Sequence, residues 1–325
     1  MSPQAFDVLA IGELNPDLVL SDIHAEHPRL GTEQEFGAYL LTLGSSTAIT
    51  CVLMQRLGLA TAMSAYVGND AYGRFCRAAL KAEHVDVALV RTHPTLATGL
   101  TVCLPYPADR MLLTCKGTMR LNPADIIDAR SLRGTRHIHV GSFFLQDDLR
   151  PVVGELFRTA RALGLTTSLD TGWDPQERWL APDLREAFAH TSYLFPNTLE
   201  FGQLSGTPDI AAGIARLLNL GVGAVVLKRG AQGAVHGDCQ GLWTHQGFSA
   251  QPVDTTGAGD AFNAGYLTAM LQGAPVAERL AFGNACGALT VAAVGGTSGV
   301  TDTEQVRAFI ARHPLEPAAI AASEA

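Results

Sequence analysis

Four short apolar runs, Val8-Leu9-Ala10-Ile11, His137-Ile138-His139-Val140, Thr166-Thr167-Ser168-Leu169 and Ala224-Val225-Val226-Leu227, each end at Gly, Asp or Lys and are separated by helical patterns. Runs of this kind suit strands buried on both faces, and a helix between successive strands supplies the crossover that parallel pairing requires. The expected core is therefore α/β, a central, mainly parallel sheet flanked by helices. Ligands of such sheets bind beyond the carboxyl ends of the strands. Segments 12–17, 141–144, 170–174 and 228–230 are thus expected to ring one cleft.

Two stretches follow another pattern. Residues 35–43 and 98–115 read as hairpins, the second turning at Pro-Ala-Asp. Being discontinuous in sequence, they suggest a lid drawn from about 13–43 and 96–118, or else an edge extension of the main sheet. At 325 residues a single α/β layer structure with a small appendage fits as well as two domains do. We expect one domain over 1–312 and a frayed, Pro- and Ala-rich tail over 313–325.

Composition removes several functions. A net charge of -8 offers no clustered Lys and Arg for a phosphate backbone, so nucleic acid is not an expected partner. No apolar run reaches the roughly 18 residues of a membrane span, and the N-terminus lacks a basic leader. Cys51, Cys76, Cys103, Cys115, Cys239 and Cys286 show no paired spacing and read as core residues of a reducing compartment, the cytoplasm. The histidines show no metal-ligand spacing, and His137 and His139 read as strand residues.

The segment that carries chemistry is Asp254-Thr255-Thr256-Gly257-Ala258-Gly259-Asp260-Ala261-Phe262. Its glycines allow a turn with converging N–H groups, and Phe262, Leu267, Met270 and Leu271 mark a helix starting there. Free N–H groups at the positive end of a helix dipole favour an anion. Gly257, Ala258 and Gly259 would form an anion hole for a phosphoryl group in transfer, and Asp260 beside it would accept a proton from an acceptor hydroxyl. The helix terminus is expected to keep Asp260 ionised as a weak base; the plain alternative is a Gly-rich turn with Asp260 as a capping residue. A dinucleotide fingerprint is disfavoured, since Phe262 stands at the third glycine position and the segment lies late in the chain. P-loop and protein-kinase signatures are missing from the sequence.

This segment resembles the C-terminal signature of the ribokinase/PfkB carbohydrate kinases. Support follows in chain order from Gly12-Glu13-Leu14-Asn15-Pro16-Asp17, Val67-Gly68-Asn69-Asp70-Ala71-Tyr72-Gly73, Asn197-Thr198-Leu199-Glu200 and Lys228-Arg229-Gly230-Ala231-Gln232-Gly233, nearly the whole chain. The resemblance implies the family's fold with a small β lid, ATP and magnesium as co-substrate and cofactor, and possible dimerisation through the lid.

It also implies roles for residues. Asn15 and Asp17 would bind substrate hydroxyls, and Gly44 would open the substrate loop. That loop departs from the family's double glycine, having Ser45 in second place and Thr47, Ala48 and Ile49 where an asparagine is usual. Arg110, after the lid turn, would reach a charged or hydroxylated substrate, or else stand as a solvated charge. Asn197 would lie at the phosphates and Glu200 would order magnesium through water. Lys228, Gly230 and Gly233 would line the ATP path, with Asn284 flanking the adenine. Asp254 and Thr256, with the loop 294–298, resemble a monovalent-cation site, usually potassium. Apart from the resemblance, segment 170–174 ends a strand facing the same cleft, where Asp170 or Trp173 could contact substrate.

The expected activity is transfer of the ATP γ-phosphoryl group to a hydroxyl of a sugar or sugar acid. Alternatives are a nucleoside or other small-alcohol kinase of the same fold, or a non-catalytic sugar- or nucleotide-binding regulator.

Overall fold

The structure, a computed structural model, describes residues 6–23, 25–106 and 110–314. Its thirteen described strands are β1 (Phe6–Ile11), β2 (Pro16–Ile23), β3 (Phe36–Leu43), β4 (Thr61–Gly68), β5 (Val90–His93), β6 (Leu100–Pro105), β7 (Arg110–Cys115), β8 (Thr135–Val140), β9 (Thr166–Leu169), β10 (Tyr193–Leu194), β11 (Ala224–Lys228), β12 (Ala234–Asp238) and β13 (Gly241–His245). The α-helices are α1 (Ser46–Arg56), α2 (Ala71–Ala82), α3 (Ala129–Arg133), α4 (Arg150–Ala162), α5 (Pro182–Phe188), α6 (Thr198–Ser205), α7 (Ile210–Asn219), α8 (Ala258–Leu271), α9 (Val276–Val291) and α10 (Thr303–Arg312).

Nine strands form one sheet in the order β13-β12-β11-β10-β9-β8-β1-β4-β5, parallel from β11 to β5, with an antiparallel extension through β12 and β13. Successive residues of the central strands enter opposite layers, as the period of two requires. Leu9 and Ile11 pack with Phe143, Phe157 and Phe188 beneath α4 and α5, while Val8 packs with Phe262, Tyr266 and Leu267 of α8. Burying each such aromatic or aliphatic side chain contributes about 1.5–3 kcal/mol. His137 and His139 lie inside β8, their rings hydrogen-bonded to Thr166 and Ser168 Oγ atoms at 2.7–2.8 Å. Burial holds both imidazoles neutral.

The two hairpin stretches form a separate sheet, in the order β3-β2-β6-β7, rather than an edge of the main one. Strand β2, which follows directly on the β1 loop, pairs with β3 and β6. The Pro-Ala-Asp turn at 107–109 and tail residues 315–325 lie outside the described residues. Among the described residues no helix is long and apolar enough to cross a membrane. Cys51, Cys76 and Cys286 are buried as expected, whereas Cys115 and Cys239 stand exposed on a lid strand end and a hairpin turn, where no core reaches them.

Candidate active site

The site is built where β1, β9 and β11 end beneath the second sheet. Helix α8 begins at Gly257, whose φ of 73° is a left-handed turn that a Cβ would strain, and whose Cα face packs directly on Gly296. The first N–H groups of α8 have no intrahelical acceptor, so they point out of the helix start.

Two cavities meet there. One, of about 420 Å³, is bounded by Lys228, Gly230, Gly233, Phe248, Ala258, Phe262 and Asn284. The other, of about 330 Å³, lies under the second sheet and is lined by Glu13, Asn15, Asp17, Ser46, Thr101, Leu112 and Gly257. Thr255 and Gly259 line both. A ligand in the first cavity and a ligand in the second therefore face each other across the start of α8.

Asp260, next to Gly259, is half-buried, its Oδ1 accepting at 2.5 Å from Ser46 Oγ, a residue of the smaller cavity's lining. Burial, and next the neighbouring Asp170 carboxylate, push its carboxyl up to about 6, against the opposing pull of Ser46 and Lys228. This corrects the expectation of a weakly basic, dipole-stabilised aspartate: desolvation outweighs the helix terminus.

Asn15 is buried, with Nδ2 3.2 Å from Pro16 O and 3.4 Å from Asp17 Oδ1. Its Oδ1 is buried with no protein partner. Asp17, also buried, is pushed up to about 7 by burial and then by the charges of Asp260 and Asp254. Gly44 acts through it. A Cβ at Gly44 would fall inside the Asp17 carboxylate, and Gly44 N donates to Asn15 O at 3.0 Å. Arg110 opens β7 opposite Pro105, but its side chain lies outside the described residues.

The departure at Ser45 is accommodated locally. Ser45 has φ 70° and ψ 113°, a region sparsely used by residues with a Cβ. Its hydroxyl donates to Glu13 O at 2.6 Å and accepts from Ala48 N at 3.0 Å, capping α1. The Glu13 carboxylate in turn accepts from Thr47 Oγ1 at 2.7 Å and Thr47 N at 3.3 Å. Glu13 thus grips the loop with its main chain and its side chain. Burial drives its carboxyl up to about 7.

Lys228, at the end of β11, is largely buried among partners. Its Nζ donates to Asp170 Oδ2 at 2.6 Å and Asn263 Oδ1 at 3.3 Å, and lies 3.4 Å from where a Cβ on Gly259 would sit. Asn263 Nδ2 completes the triad to Asp170 Oδ2 at 2.7 Å. Burial opposes both charges, yet the pair holds Asp170 below the usual carboxylate range and Lys228 above the usual amine range. Asp170 therefore neutralises Lys228 rather than reaching toward a substrate. Trp173 packs edge-on to Trp179 and lines neither cavity.

Asn197 and Glu200 form a reciprocal capping box at α6: Asn197 Oδ1 accepts from Glu200 N at 2.9 Å, and Glu200 Oε2 from Asn197 N at 2.8 Å. Glu200 is buried and pushed up to about 7 by burial and Asp170, while Asn197 is exposed and paired beside Lys228. Asn284 Nδ2 lies 2.9 Å from His245 Nδ1 on the wall of the larger cavity. Asp254 accepts from Thr256 N and Gly295 N, each at 2.9 Å, tying the α8 loop to the 294–298 loop. Among the described residues no His, Cys, Asp and Glu cluster forms a preformed metal cage.

Glu13, Ser46 and Asn263 were not singled out from sequence. Each acts through a partner distant in the chain, which local pattern does not reveal.

The pfkB family carbohydrate kinase model matches residues 6–303. The ATP-dependent ribose-1-phosphate kinase of Halopiger xanaduensis is 30% identical over 305 residues, 93% of this chain and 97% of that protein. The ribokinase of Bacillus subtilis is 26% identical over 307 residues, 94% of this chain and 99% of its own. Among solved structures, an E. coli protein described as a ribokinase II, in complex with ATP and Mg2+, superposes with a TM-score of 0.84 at 26% identity, covering 95% of this chain and all of that one. With this likeness running from β1 to α10, the chain belongs to the pfkB family of carbohydrate kinases, phosphotransferases with an alcohol group as acceptor.

Proposed function

We propose that the protein transfers the ATP γ-phosphoryl group to a hydroxyl of a sugar bound under the lid, with Asp260 as the general base. The observation that carries this reading is the meeting of the two cavities at Thr255 and Gly259, with Asp260 next to Gly259 and bonded to Ser46. ATP would occupy the larger cavity, its adenine near Asn284 and its phosphates running past Gly230, Gly233 and Lys228. The acceptor would occupy the smaller one, its hydroxyls on Asn15 and Asp17.

In this reading Ser46 fixes Oδ1 of Asp260 and leaves Oδ2 to take the acceptor proton. The N–H groups at Gly257, Ala258 and Gly259, joined by the Lys228 ammonium, meet the charge gathering on the phosphoryl oxygens. The second sheet excludes water from the junction, which limits ATP hydrolysis. Together the main sheet and this lid act as one ribokinase-like unit over 1–312.

Magnesium fits the donor set. The ion prefers oxygen ligands and retains several waters, and Glu200 is a carboxylate close enough to Lys228 and Asp170 for their charges to move its titration. Glu200 would hold it through water beside the phosphates, where the metal would neutralise phosphate charge. The tie between Asp254 and the 294–298 loop supports a monovalent cation, potassium, on that loop pair. We place the reaction in the cytoplasm, which supplies ATP.

For the lid's partner, Phe36, Tyr39, Leu40, Met111 and Leu113 leave apolar surface exposed on β3 and β7. A second copy of the chain covering that surface is the partner we propose.

The test is magnesium-dependent ADP release over pentoses, hexoses, ketoses, sugar acids, inositols and nucleosides, with and without potassium. Turnover on a sugar supports the reading, and silence across the panel from ATP-binding protein argues for a non-catalytic binder.

A further inference from the structure

We infer, resting on the kinase reading above, that the acceptor is an uncharged or cationic polyol, a neutral sugar or an amino sugar, and that sugar phosphates and sugar acids are rejected. The inference comes from the charged groups and the unpartnered acceptor of the smaller cavity.

Its charged side chains, among the described residues, are carboxyls. Glu13 and Asp17 bring carboxyl groups, and Asn15 turns its amide nitrogen to Pro16 O and Asp17, leaving Oδ1 buried without a partner. Several hydroxyls of the lining are already engaged. Ser45 Oγ donates to Glu13 O, Ser46 Oγ donates to Asp260, and Thr101 and Thr114 pair with each other at 3.1 Å. The unpartnered Asn15 Oδ1 and the carboxyl oxygens are met best by a ligand that brings its own donors. Sugar hydroxyls and an ammonium group do so, whereas a phosphate or carboxylate presents lone pairs to lone pairs.

Charge points the same way. No Lys or Arg lines this cavity among the described residues. Lys228 is bound to Asp170 and lies on the wall of the other cavity. Asp254 and Asp260 already oppose the ionisation of Asp17, and an anionic ligand in the same space would meet the same field. An ammonium group would relieve it.

The experiment measures initial rates of ADP release from the full chain with acceptors of one carbon skeleton that differ in charge. The set is a hexose, its 2-amino derivative, its aldonic acid and its 1- and 6-phosphates, together with the pentose equivalents. Wild type is run beside Arg110→Ala, because Arg110, at the start of lid strand β7, is a cation whose reach is to be controlled. We expect kcat/KM for the best neutral or amino acceptor to exceed that of its phosphorylated or acid counterpart by at least about 100-fold in both proteins. Equal or better turnover of a phosphate or acid overturns the inference and leaves the kinase reading standing, and loss of that turnover in Arg110→Ala would identify the cation responsible. Silence with every member, from protein that still binds ATP, overturns the kinase reading and the inference with it.

Discussion

Ser46 Oγ donates to Asp260 Oδ1 at 2.5 Å, joining the first residue of α1, in the lining of the smaller cavity, to the first turn of α8. The bond favours the ionised carboxylate, while burial and Asp170 oppose it. A base must be deprotonated to work, so activity is expected to rise with pH through about 6. Ser46→Ala removes a stabiliser of the charged form. The rising limb of kcat/KM should then move to higher pH by roughly 0.5–1 unit, with Ser46→Thr moving it less. An unshifted limb in the alanine variant would show that the hydroxyl does not tune the base.

Lys228 and Asp170 form a buried pair beside Gly259 at the start of α8. Removing the lysine alone leaves a buried carboxylate uncompensated, a loss of about 3–5 kcal/mol. Lys228→Met should therefore lose both stability and activity, and Lys228→Met with Asp170→Asn should recover most of the stability without the activity. Thermal unfolding alongside turnover separates the two effects. Recovery of both would remove Lys228 from the transfer step.

The loop at Ser45 combines backbone strain with two side-chain bonds. Ser45→Ala keeps the strain and loses both bonds, whereas Ser45→Gly relieves the strain as it loses them. We expect the glycine variant to be more stable than the alanine variant by at least about 1 kcal/mol, as denaturant unfolding would measure. A reversed order would mean that the backbone there is not strained.

Glu13 has its folded-state carboxyl raised to about 7 by burial. A raised carboxyl holds its proton more tightly in the folded state than in the unfolded one. Its contribution is therefore present at low pH and is lost as pH rises from about 4.5 through about 7. The loss approaches about 3 kcal/mol. Glu13→Gln should flatten that part of the stability profile, and an unchanged slope would assign the pH dependence to Asp17 and Glu200, which are raised similarly.

Much of this site was legible in the sequence, and what was hidden has a common cause. The turn at Gly257 could be read because glycines, a helix start and an aspartate lie within nine consecutive residues. The lid could be read because its hairpins keep a local period of two. Asp170 could not be read as the partner of Lys228, since 58 residues separate them and nothing local tells an ion-paired carboxylate from a ligand-facing one. Glu13 was hidden likewise, because its hydrogen-bond partner Thr47 lies 34 residues on. The titration of Asp260 was misjudged for the same reason: the helix terminus is a local feature, whereas burial and Asp170 are tertiary.

The most direct measurement is turnover and ATP affinity of Asp260→Asn, made with whichever acceptor the wild type uses. The side chain keeps its shape and can still bond to Ser46, but loses the basic oxygen. We expect kcat to fall by about 10²–10⁴-fold, with the ATP dissociation constant changed by no more than about threefold. Near-normal turnover in that variant would contradict the assignment of Asp260 as the base.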